Sequence, residues 1–139
     1  MTLSSADLVT AGVVLLAVVT IAYGGTFVLR VATGRQPAND LQRRFYRAGH
    51  AHAAVLVILG LLVLMLTSSP GVPSWANDWG TLVLWAAILM PAGFFLSVIG
   101  RDPERPSRLI ALLWLGAATL TVGLVTAGVG LILAGTTAA

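Results

Sequence analysis

Four long runs of apolar residues leave this chain few ways to fold. They cover about Leu8 to Val31, Arg47 to Leu66, Gly80 to Ile99 and Leu109 to Leu133. Each reaches the roughly 20 residues that cross a hydrocarbon core as a helix. Backbone N–H and C=O groups find no water in that core, so a helix, which pairs them internally, is the form such a run takes. A soluble four-helix bundle would carry a polar stripe along each helix. Val13–Val19, Val55–Leu66 and Leu109–Leu115 have none. Only 9% of the residues are charged, against about 25% in a soluble domain, too few to cover a surface facing water. The expected fold is an all-α integral membrane four-helix bundle. It forms one domain, residues 1–139, with helices over about 8–31, 41–66, 80–100 and 108–134.

The charges give that bundle a direction. All eight basic residues are Arg, at 30, 35, 43, 44, 47, 101, 105 and 108, and all flank the first or third connection. The second connection, Thr67 to Trp79, has Asp78 and no basic residue. The positive-inside rule therefore predicts an inner (cytoplasmic) membrane protein with the arginines inside and both termini outside. The first run is expected to be a span rather than a cleavable signal, because Asp7 stands where a basic leader would be. Arginines beside apolar blocks point to lipid phosphates as partners, and not to nucleic acid. Trp75 and Trp79 fit an aromatic belt at the opposite interface. Asn39 or Asp40 is the expected N-cap of the second helix, and Pro91 should kink the third. Thr119, Gly123 and Ala127, and Thr126, Gly130 and Ala134, recur every four residues. That stripe places the fourth helix either centrally or at a contact between subunits of a homo-oligomer.

One stretch carries candidate chemistry. Arg43-Arg44-Phe45-Tyr46-Arg47-Ala48-Gly49-His50-Ala51-His52-Ala53-Ala54 opens the second span and holds both histidines. Ionisable groups in a span are costly, and by default they mark function. The plain alternative is a His that only bonds a carbonyl or a hydroxyl. His50 and His52 stand about 200° apart on a helix and cannot point the same way. A first-row metal wants three or four ligands. With no Cys and no carboxylate inside a span, one chain is poorly equipped for a bare metal. Haem b asks for less: an axial His, an apolar slot and bases for its propionates. His52 or His50 would ligate the iron, Arg43, Arg44, Arg47 and Arg101 would hold propionates, and the small residues around the histidines would admit the ring. Tyr23, on the first helix, could donate a hydrogen bond in a pocket or be an interfacial aromatic. Ser97 is a further polar group at that depth, and Phe94 and Phe95 are expected to pack. No nucleophile triad, acid/base pair or phosphate loop is present. The carboxylates fall in loops or at the edge of a span, which argues against a proton-driven exporter.

Two segments together resemble the styrene oxide isomerases, small four-span bacterial membrane enzymes. One is Phe45-Tyr46-Arg47-Ala48-Gly49-His50-Ala51-His52-Ala53-Ala54. The other is Gly93-Phe94-Phe95-Leu96-Ser97, followed by Arg101-Asp102-Pro103-Glu104-Arg105-Pro106. The resemblance spans the second and third helices. It implies haem b on His52, or on His50 if Gly49 is an insertion, and assembly as trimers. It also implies a ferric iron acting as Lewis acid on the epoxide oxygen of a small apolar substrate. The candidate catalytic positions are Tyr23, Phe95 and Ser97, of which Tyr23 lies on the first helix, outside the resemblance. The family's polar Asn two turns into the helix is replaced here by Val57, Ile58 and Leu59, and its Tyr by Phe95. The rival expectations are a haem electron carrier or sensor, and a small transporter or channel without cofactor.

Overall fold

The computed structural model describes residues 3–137. Its helices are α1 (Ser5–Ala32), α2 (Asp40–Thr67), α3 (Ser74–Gly80), α4 (Leu82–Leu96) and α5 (Ala111–Thr137), the last entered through a 3-10 turn at Arg108–Ile110. α3 and α4 form one span, Ser74–Leu96, so four helical spans are long and apolar enough to cross a membrane. The described residues form an all-helical, multi-pass four-helix bundle.

Each helix start has a local cause. Ser4 caps α1, with Asp7 reaching back to complete the box. Asn39 caps α2, and Gln42 completes that box; each pairing satisfies backbone donors that a helix leaves open. The second connection is shorter than its Pro, Gly and Asx content predicts. α3 begins directly after Pro73, so Trp75 and Trp79 stand on a helix. Tertiary contact explains the difference. Ala76 and Gly80 are buried, and Asn77 donates to the hydroxyls of Ser68 (2.9 Å) and Thr67 (3.3 Å). Ser68 donates in turn to Asp7 at 3.2 Å, which ties α1, α2 and α3 together at the end away from the arginines. At Thr81 the hydroxyl donates to the Asp78 carbonyl at 2.6 Å, where α3 passes into α4. Pro91 lies buried within α4.

The core is built on α2 and α4, through Leu56, Val57, Ala86, Ala87 and Met90. A second cluster, Val63, Val83 and Ala127, brings in α5. α5 reaches α3 and α4 through glycines seven residues apart. A Cβ on Gly116 would lie 2.5 Å from Met90 Cγ, one on Gly123 would lie 2.9 Å from Val83 Cγ2, and one on Gly130 would overlap Ala76. A seven-residue repeat keeps one seam of a helix against its partner. Gly123 and Gly130 thus lie against the third span, and Ala127 packs with Val63 and Val83 inside the chain.

α1 is different. It touches α2 alone among the helices, and Val31 is its one buried residue. Val14 and Ile21 lean on the core. An apolar crevice of about 360 Å³ separates α1 from α4, with Val13 and Ile21 on one wall and Leu84 and Pro91 on the other.

At the arginine-rich end the first and third connections are pinned together. Gln42 Nε2 donates to the carbonyls of Val98 and Gly100, both at 3.1 Å. Asn39 Nδ2 donates to Asp102 Oδ1 at 2.8 Å and to the Pro103 carbonyl at 2.9 Å. Gln42 is 7% exposed, so Gln42→Leu strips the buried Val98 carbonyl and the more open Gly100 carbonyl of their donor and opens the cap of α2. A loss of about 2–4 kcal/mol is expected, visible as a lowered thermal midpoint in detergent.

Candidate functional site

The two histidines leave α2 on different sides, as their spacing requires. His50 continues the stripe of Ala54 and Val57 and faces α1. With Val18, Ile21 and Ile58 they line an apolar hollow of about 190 Å³. A Cβ on Gly25 would stand 3.2 Å from His50 Nε2. The missing side chain of Gly25 is therefore what makes room for this imidazole, and the backbone of α1 lies against its Nε2.

His52 continues the stripe of Leu56, Leu59 and Val63, of which Leu59 and Val63 belong to the cluster that meets α5 at Leu120 and Ala127. Its ring is half-buried, and its centroid is 5.0 Å from that of Phe94. Nδ1 lies 2.8 Å from the Ala48 carbonyl. A carbonyl only accepts, so Nδ1 is the donor in this bond, and in the neutral ring Nε2 is then the nitrogen with the lone pair. The bond to a carbonyl is the one anticipated for a structural His. It engages one ring nitrogen, and in doing so it fixes the tautomer and the ring orientation for the other. Metal-ligating histidines are held this way, with the non-ligating N–H given to a carbonyl or a carboxylate.

The aromatic rings divide in the same manner. Gly49 is buried, and a Cβ there would lie 2.8 Å from Phe95 Cε2 and 3.0 Å from Phe94 Cβ. α4 thus presses on α2 at Gly49, and the two phenylalanines diverge. Phe94 goes to His52 and to Phe45, whose ring is 5.6 Å away. Phe95 goes to the α1 side and stacks on Tyr46 at 5.5 Å, while Phe27 meets Tyr46 edge-on at 5.1 Å.

The remaining candidate residues do not converge on His52. Tyr23 is 75% exposed and points away from the bundle, so within one chain it donates into no pocket. Ser97 is buried at the end of α4. Its hydroxyl turns back to the Phe94 carbonyl at 3.4 Å, and its own carbonyl accepts from the Ser107 N–H at 2.7 Å, so its part is to fold the third connection. Phe95 stands with Tyr46, on the side away from His52. Arg43 Nε donates to the Ala38 carbonyl at 3.0 Å. Arg101 lines a separate cavity with Tyr46. Arg44 and Arg47 are exposed; Arg44, eight residues before His52, is about 80° from it around α2, and Arg47, five before, is closer along the axis but about 140° round. Phe94 is the ring neighbour that the sequence left among packing residues; Phe45, which meets Phe94, was legible only by its place seven residues before His52 on the same face of α2.

No group of three or more His, Cys, Asp and Glu able to hold a metal ion occurs among the described residues. Haem needs one imidazole with a free nitrogen and an apolar face beside it. His52, with the Phe94 ring beside it and Nδ1 on the Ala48 carbonyl, fits that need better than His50, whose Nε2 lies against α1. Comparison with protein-family models, with curated proteins and with solved structures gave no match.

Proposed function

We propose that this is a haem b-binding integral membrane protein with His52 as the axial ligand, and that it isomerises a small apolar epoxide drawn from the bilayer. One observation carries the ligand assignment: the Nδ1 proton of His52 is committed to Ala48, so Nε2 is left as an oriented donor. Haem bound there would supply a Lewis-acidic ferric iron for the epoxide oxygen. The chain itself supplies the Phe94 ring beside His52, with Phe45 edge-on to Phe94, and exposed arginines in the first turns of α2. If His52 alone held the group, substrate would have no second protein side chain to displace. A homo-oligomer, a trimer by the resemblance to styrene oxide isomerases, would cover the open side of His52. The arginine-rich end lies on the cytoplasmic side of a bacterial inner membrane in this reading.

A second reading, a haem electron carrier or sensor, is favoured by one feature: the ring beside His52, Phe94, is apolar, and Tyr23 and Ser97 stand elsewhere. Purified protein titrated with haemin is expected to develop a Soret band at one haem per chain and then to convert an aryl epoxide to its aldehyde. A Soret band without product would leave the carrier or sensor. A protein that stays transparent would end both readings and favour a transporter or channel without cofactor.

A further inference from the structure

A cavity of about 470 Å³ opens at the arginine-rich end, lined by Gln36, Asn39, Gln42, Tyr46, Arg101 and Asp102, among others. It lies away from His52 and is independent of the haem reading. Its walls are held from several sides. Gln42 grips Val98 and Gly100, and Asn39 grips Asp102 and Pro103. Tyr46 is fixed between Phe27 and Phe95. Asp102 has φ of 57°, a left-handed conformation uncommon outside glycine. Such backbone persists where its surroundings hold it and is a pointer to function; here the bond from Asn39 to Asp102 Oδ1 does the holding.

The chemistry of the rim is specific. Arg101 and Asp102 are adjacent and opposite in charge, so the lining is close to neutral although the surrounding connections are basic. A guanidinium matches a phosphate, and a carboxylate matches a primary ammonium, which brings N–H donors to it. A purely anionic headgroup would bring its charge against Asp102. A choline would offer no N–H to that carboxylate. The cavity sits where α1 ends, α2 begins and α4 ends, which is headgroup depth for a spanning bundle.

We infer that this cavity binds the headgroup of a phosphoethanolamine lipid, with phosphate on Arg101 and the Tyr46 hydroxyl and the ammonium on Asp102. Native mass spectrometry of the detergent-solubilised protein, with phosphatidylethanolamine, phosphatidylcholine and phosphatidylglycerol supplied in turn, tests it. Phosphatidylethanolamine is expected to be retained about tenfold better than either of the others. Arg101→Ala should lower retention of all three. Asp102→Asn keeps an oxygen for Asn39 and tolerates the left-handed backbone, and it should erase the preference while helix content by circular dichroism is unchanged. Equal retention of the three lipids by the unaltered protein, or a preference that survives Asp102→Asn, would overturn the assignment. Displacement of the lipid by an equal concentration of soluble O-phosphoethanolamine would overturn its lipid source.

Discussion

His52→Ala is expected to give a folded, colourless protein, with haem affinity reduced more than about 100-fold and no Soret band after haemin is added. Removing an outer partner of a metal ligand already costs about 10–100-fold, and here the donor atom itself is lost. His52 is half-buried at the edge of the α2–α4 contact, and its loss removes one bond to a carbonyl, so helix content and oligomeric state should persist. His50→Ala is the matched control. Its Nε2 lies against α1 at Gly25, so an iron on that nitrogen would have to push α1 aside, and the variant should keep its Soret band. A band that survives His52→Ala but disappears in His50→Ala would reverse the assignment. A band that needs both histidines would mean six-coordinate iron and favour electron transfer over catalysis.

Gly93→Ala should be the most damaging single methyl group in the protein. A Cβ at Gly93 would overlap the backbone nitrogen of Leu113 and lie 2.9 Å from its Cα. No rotamer change moves backbone atoms, so α5 itself would have to withdraw from α4. Overpacking of this kind costs about 1–3 kcal/mol even where side chains can adjust; with backbone in the way about 3 kcal/mol or more is expected. Gly128→Ala, on α5 with nothing within 4 Å, should be neutral or stabilising by up to about 1 kcal/mol, since alanine is the better helix former. Thermal unfolding of the two variants in the same detergent measures the difference. Equal midpoints would mean that α4 and α5 do not meet at Gly93.

The Arg-end clamp shows how little of the site's surroundings could be read ahead. Asn39 was legible as a cap, because capping is decided within four residues. Its second task, holding Asp102 sixty-three positions later, leaves no local trace. Likewise the Pro73–Trp79 segment carries loop punctuation, and it becomes helical because Ala76 has somewhere to be buried.

By itself the sequence determined that there are four spans, where they lie to within a few residues apart from the start of the third, and that every arginine falls at one end. Those properties depend on run length and composition, which add up along the chain with no knowledge of neighbours. The tertiary structure alone decided which side of each helix meets which partner. α5 and α4 are apolar all the way round, so no polar face marks the inward one, and it is set instead by where two backbones can approach. Gly93, Gly116, Gly123 and Gly130 fix that approach for α5, Gly49 parts Phe94 from Phe95, and Gly25 brings α1 onto His50. Their spacing already set the two histidines on opposite faces; the packing decided what each face meets, α1 at Gly25 for His50 and the Phe94 ring for His52.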